Sequence, residues 1–365
     1  AIFKNGAVVK TLNPLILQSL TLVCFLGFLV LASRGVNSLK KIGIVAGTSM
    51  LIMSILFILL MLAAPALRGV HSATTDWGWH TFIPNFDFTY FTTISMLLFA
   101  VGGCEKLAPY VNNTHNPAKE FPKAMIAVAG LVAVSALLGS FAMGLMFDAH
   151  NLPKDLKMNG QYYAFQLLGQ YYGLGNSLMI IYALANGIGQ IAALMFSIDA
   201  PIKVFLGEAN PRFVPNFLNK KNKHGAPING YILTAILVSI LIIVPAFGIK
   251  NMNDLFNWLL DLNSIVMPMR YLWVFVAYIA IKKLASQFNS DYQFVKNRQL
   301  GMTIGIWCFG LTIFAILMGM FPKGITMYSH QWYFQLTLNI ITPFGLLALG
   351  FIMPIIAKFS NNQTT

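Results

Sequence analysis

The sequence predicts an all-α polytopic membrane protein, and three observations carry that expectation. Hydrophobic residues make up 57% of the 365 positions and charged residues only 10%, against about 25% charged in ordinary globular domains. Mean hydropathy is +0.69. The apolar residues gather into nine runs divided by polar, basic loops, and about 20 residues of helix suffice to cross the hydrocarbon core of a bilayer. No composition shift, low-complexity tract or short repeat divides the chain, so residues 1–365 are expected to form one transmembrane domain.

Taken in order, Pro14 to Ala32 is the first span and Ile42 to Leu67 the second. The loop from Arg68 to Tyr90 holds Trp77, Trp79 and Tyr90, residues expected as interfacial anchors. The third run, Ile94 to Val101, breaks at Gly102-Gly103, carries an acid at Glu105 and passes into prolines. Each glycine costs a helix about 1 kcal/mol against alanine. A carboxylate beside apolar sequence is expensive in lipid unless it faces a cavity or a partner.

Ala124 to Phe147 is the fourth span, and Gln161 to Tyr172 reads as a short surface helix. Leu174 to Leu206 is long for one span, and a basic loop, Gly207 to Ala226, follows it. Ile228 to Phe247, Asp254 to Ile281, Met302 to Phe321 and Trp332 to Ile356 complete the nine.

The net charge of +13 lies mostly in short loops, where lysine and arginine set topology; it does not call for a nucleic-acid partner. Alternate loops hold 16 and 7 of the 24 basic residues, with Arg270 alone inside a span. The richer set is expected to be cytoplasmic, which puts the C-terminus inside the cell. Cys24, Cys104 and Cys308 lie in or beside apolar runs without a CxxC or a metal-ligand spacing. The six histidines are scattered over loops, and no HExxH, GxSxG or P-loop occurs. No enzyme, metal or cofactor is expected.

Four charges sit in or beside spans and need an explanation: Glu105, Asp199, Asp261 and Arg270. Asp199, Asp261 and Arg270 are candidate buried charges. For Asp199, near a span end, pairing with a loop or snorkelling to the interface is the simpler role. Arg270 lies nine residues after Asp261, roughly 13 Å along a helix, too far for a direct pair; if buried, it needs a partner from another helix.

Two blocks carry a resemblance. Phe99-Ala-Val-Gly-Gly-Cys-Glu105, with Asn116-Pro117 and Phe121-Pro122-Lys123-Ala124, resembles the sixth helix and following loop of the amino acid–polyamine–organocation transporter superfamily. Gln190-Ile-Ala-Ala193 through Asp199, with Asn219-Lys220 and His224-Gly225-Ala226-Pro227, resembles its eighth helix and the entry to the ninth. Among its members, glutamate/GABA-antiporter-like amino acid permeases are most similar. The resemblance implies a LeuT-like inverted-repeat transporter fold, with helices 4–12 of 12 present and the first three absent. The chain begins at Ala1 rather than Met, and an N-terminally truncated transporter is the expectation.

The resemblance further implies secondary active transport of amino acids by alternating access, with antiport as one mode of it, in a bacterial-type plasma membrane. Phe99, Gly102, Gly103 and Glu105 would bind the substrate, an amino acid or related amine. Protonation of Glu105, or an exchange substrate, would bias the two access states. Two other classes compete: a non-transporting membrane subunit or sensor sharing the fold, and a channel. A channel would want polar rings along a pore, and the spans contain none.

Overall fold

The computed structural model describes residues 14–361 apart from 34–35, 105–106, 109–110, 112–113, 154–155, 204, 207–212, 224, 244–251, 285–286 and 288–291. The described chain is helical; each of the nine expected spans forms a helix, and so does the segment expected as a surface helix, giving ten. In order they are α1 (Pro14–Ala32), α2 (Val36–Arg68), α3 (Phe88–Val101), α4 (Pro117–Met146), α5 (Leu156–Tyr171), α6 (Ser177–Lys203), α7 (Ile228–Ile243), α8 (Met252–Lys283), α9 (Arg298–Gly319) and α10 (His330–Asn361). Six of these are long and apolar enough to cross a membrane, and α1, α3 and α7 are shorter apolar helices.

The chain divides into two compact units, each with its own core. The first comprises residues 1–81, 131–257 and 353–365, and the second 82–130 and 258–352.

In the first unit, Met53, Phe57 and Met61 of α2 pack on Ala164, Phe165 and Leu168 of α5 and on Leu178, Met179 and Tyr182 of α6. Phe165 stacks on Tyr182 with ring centroids 4.5 Å apart. The helix expected at the surface is therefore a core element. Tyr and Gln at its other positions hide an apolar stripe of Ala164, Phe165 and Leu168, spaced three to four apart as helix periodicity requires. A second cluster joins Phe25, Leu29 and Ala32 of α1 to Ile198 and Ile202 of α6 and Tyr231 of α7.

The loop after α2 is pinned rather than loose. Buried Thr74 donates its hydroxyl to the Gly144 carbonyl at 2.7 Å and accepts the Ala149 N–H at 3.0 Å. Trp77 packs tilted against Phe141 with ring centroids 5.1 Å apart, whereas Trp79 stands exposed as an interfacial anchor would.

In the second unit, Ile265 of α8 meets Ile316 and Met320 around α9. Gly319 lets α9 approach α3 so closely that a Cβ there would strike the Ser95 side chain. Ser95 and Ser264 face each other with their hydroxyls 3.4 Å apart. Asp87 caps α3 by accepting the Tyr90 N–H at 2.7 Å. Pro117 opens α4, a position where its missing N–H costs nothing, and the Asn116 carbonyl accepts the Lys119 and Glu120 N–H groups.

Candidate functional site

The break after α3 is where the sequence suggests a site. The helix ends at Val101, and Gly102 turns to extended backbone (φ −82, ψ 176) while its N–H still reaches the Phe99 carbonyl at 3.2 Å. Gly103 takes φ +117, a conformation glycine adopts freely and other residues do not. The two glycines thus have different duties. Gly103 supplies the unusual torsion. Gly102 supplies room: a Cβ there would lie 2.5 Å from the Met267 methyl and 2.6 Å from the Tyr271 hydroxyl. That hydroxyl accepts the Gly103 N–H at 3.0 Å, so α8 of the same unit holds the break open. Phe99 sits half-buried one turn before it. Glu105 lies outside the described residues.

Chemically, the end of a helix presents backbone carbonyls that lack intrahelical partners and carry the negative pole of its dipole. Such an end suits the ammonium of an amino acid. Tyr271 is the contributor that sequence reasoning missed. An aromatic residue inside a long apolar span carries no mark that its hydroxyl meets a residue 168 positions earlier.

The remaining charges fall into three environments. Asp199 is buried at 4% exposure, and Tyr231 donates to its Oδ1 at 3.2 Å. It is buried among the residues of the second cluster of the first unit rather than snorkelling to the surface, with the Tyr231 hydroxyl as one of its partners. Asp261 is buried near the start of α8, and Lys323 from the α9–α10 loop stands 3.6 Å away, the two side chains 8% and 12% exposed. Lys323 is thus a loop lysine with a buried acidic neighbour rather than a solvated one. Arg270 is exposed on α8, where the expectation had a candidate buried charge. Asp261 and Ser264 lie on the opposite, packed side of that helix.

The first unit contains a second concavity that the sequence did not announce. It encloses about 700 Å³ between α2, α4, α5 and α6. Its apolar part includes Phe57, Phe165 and Tyr182, and its polar part Ser135, Ser140, Gln161, Asn186 and Gln190. Asn186 and Gln190 are linked, Gln190 Nε2 donating to Asn186 Oδ1 at 3.3 Å and Asn186 Nδ2 to the Tyr162 hydroxyl at 2.9 Å. The available signal was the i, i+4 spacing of two carboxamides in an apolar span.

Comparison with known proteins agrees with this architecture. The amino acid permease family profile matches residues 5–345. The chain is 52% identical to the aspartate/glutamate permease AcaP of Lactococcus lactis subsp. cremoris over 364 residues, covering 99% of this chain and 74% of that protein. It is 27% identical to the glutamate/gamma-aminobutyrate antiporter of Lactococcus lactis subsp. lactis, covering 93% and 68%. It is 23% identical to the inner membrane transporter YjeM of Salmonella typhimurium, covering 68% and 53%. A glycine-broken helix among apolar spans and a family match over nearly the whole chain lead to one conclusion: the chain belongs to the amino acid permease family and is an integral, multi-pass transporter of amino acids, not an enzyme.

Proposed function

We propose that the protein is a secondary carrier of acidic amino acids that works by alternating access in a bacterial plasma membrane, with its C-terminus in the cytoplasm. The observation that carries the mechanistic part is the α3 break, where Gly102 is extended, Gly103 has φ +117 and the Tyr271 hydroxyl meets the Gly103 N–H. Broken helices put bare backbone groups beside a substrate without charged side chains. The α-ammonium would dock on the carbonyl end of α3, and Phe99 would cover it. Glu105, two residues beyond the break, would bind or release a proton as access alternates.

The substrate class draws on the AcaP and antiporter relatives, whose names specify aspartate, glutamate and gamma-aminobutyrate. Exchange against a second amino acid or cotransport with a proton would each supply the driving force.

Uptake of radiolabelled aspartate and glutamate into proteoliposomes tests the reading, with and without a loaded counter-substrate. Saturable uptake inhibited by unlabelled aspartate is expected. Specific binding with no flux under either gradient would instead identify a non-transporting sensor. Acceleration by internal substrate would establish exchange.

A further inference from the structure

We propose that the cavity between α2, α4, α5 and α6 is a second substrate-contacting site, in which Asn186 and Gln190 of α6 receive the side-chain carboxylate of an acidic amino acid. This rests on the reading above that the substrate is acidic. It adds a specificity element apart from the α3 break, within the first unit.

Polarity is the first argument. At membrane depth a cluster of polar side chains is costly and marks a solute path by default. Here three carboxamides and three serines (Ser54, Ser135 and Ser140) from four helices line one cavity of about 700 Å³. Among its described lining residues there is no Asp, Glu, Lys, Arg or His; the single titratable group is Tyr182. Among these described lining residues a substrate ammonium finds no anion, and a carboxylate meets no repelling acid.

The direction of the hydrogen bonds is the second argument. Gln190 gives one N–H to Asn186, and Asn186 gives one N–H to Tyr162. Each carboxamide has two N–H donors, so each keeps one. Asn186 Oδ1 is already occupied as acceptor by Gln190. The pair thus keeps two N–H groups, one on each carboxamide, to offer to the two oxygens of a carboxylate, an acceptor-only group. Hydrogen bonds to an ionised acceptor are about twice as strong as neutral ones. Recognition by neutral donors alone gives selectivity without the tight grip of a fixed cation, as a carrier that must release its cargo requires.

Anchoring is the third argument. Tyr162 lies edge-on to Tyr182 at 5.4 Å, and Tyr182 stacks on Phe165. A Cβ at Gly189 would come 2.9 Å from Met50 Cγ, so α6 and α2 lie in close contact beside the carboxamides. The helix that carries the donors is thus packed on its neighbours at Tyr182 and Gly189.

The test is equilibrium binding of radiolabelled L-aspartate to the protein in nanodiscs, with uptake measured in parallel. Gln190→Leu and Asn186→Leu should each weaken aspartate binding about tenfold, as loss of a hydrogen bond to a charged group does. Gln190→Glu, of the same size, should abolish the share of binding that this cavity supplies at pH 7 and regain it in part near pH 4.5, where a carboxyl of ordinary pKa, about 4.3, is substantially protonated. Recovery of that kind has no counterpart if Gln190 only packs. Wild-type aspartate affinity in both leucine variants, or loss in Gln190→Glu at both pH values, overturns the site while leaving acidic amino acid transport intact. A wild-type protein that carries only neutral or basic amino acids overturns the substrate reading, and this site with it.

Discussion

The Tyr271 hydroxyl accepts the Gly103 N–H at 3.0 Å and occupies the space that a Cβ on Gly102 would need. One phenol on α8 therefore does two things for the α3 break: it satisfies a backbone donor and fixes how close the two helices come. Tyr271→Phe keeps the ring and removes the acceptor. It should cost about 1 kcal/mol of stability, the net value of a typical hydrogen bond, and slow uptake out of proportion to that. The check is a melting temperature in detergent beside initial uptake rates at matched expression. A rate unchanged within error would remove Tyr271 from the mechanism.

The two glycines should differ when replaced. Gly103→Ala forces a side chain into φ +117, at about 1–3 kcal/mol of backbone strain. Gly102→Ala meets no torsional barrier at φ −82, but it must displace the Met267 methyl and the Tyr271 hydroxyl. Adding Tyr271→Phe should therefore relieve Gly102→Ala in part and leave Gly103→Ala unrelieved. Melting temperatures of the two singles and two doubles decide it.

How far the sequence foretold all this depends on where the information sits. The nine apolar runs were legible because span length and composition are local, and α1 begins and ends where expected, at Pro14 and Ala32. The break was legible because a glycine pair is local too. Tyr271, Lys323 and the Asn186–Gln190 pair were not, since each acquires meaning only from a partner on another element or across a cavity. The α5 helix was misread for a related reason. Its Tyr and Gln residues dominate the composition, whereas the buried stripe of Ala164, Phe165 and Leu168 becomes visible once α2 and α6 pack against it.

The Asp261–Lys323 pair ties α8 to the α9–α10 loop, and the same loop is held by Asn339, whose Nδ2 donates to the Met320 carbonyl at 3.1 Å. With both side chains nearly enclosed, breaking the pair by removing one member is expected to cost about 3–5 kcal/mol, as for buried ion pairs in general. Asp261→Asn and Lys323→Met should each destabilise strongly, and the double substitution should recover most of the loss. Thermal unfolding of the three variants closes the cycle; additive losses would mean that the two charges do not sense each other.

Asp199 predicts a different pattern. Its partner Tyr231 is neutral, and the phenol also lies 3.4 Å from the Ala32 carbonyl. Tyr231→Phe removes a hydrogen bond to a buried carboxylate, worth about 1.5–3 kcal/mol, and loosens the junction of α1, α6 and α7. Asp199→Asn keeps an acceptor for the phenol and should cost less. Greater damage from Asp199→Asn than from Tyr231→Phe, in melting temperature, would show that the carboxylate is held by its charge rather than by that hydroxyl.

Orientation is tested by chemical labelling, and the structure dictates where to place the probe. Asn222 is structurally committed: its Nδ2 donates to the Ser33 carbonyl at 3.0 Å and its Oδ1 accepts the Ala226 N–H at 3.0 Å. A cysteine there would undo the turn it reports on. Lys223, the next residue, is exposed, and its loop contains Lys220 and Lys221 in the basic set expected to face the cytoplasm. Lys223→Cys in a background with Cys24, Cys104 and Cys308 replaced by alanine should resist an impermeant maleimide added to intact cells and react after the cells are opened. Trp79→Cys, on the exposed turn before α3, should react in both conditions, because an odd number of spans does not separate it from the outside under the same topology. Labelling of Lys223→Cys in intact cells, with Trp79→Cys protected, would invert the protein in the membrane and move the C-terminus outside.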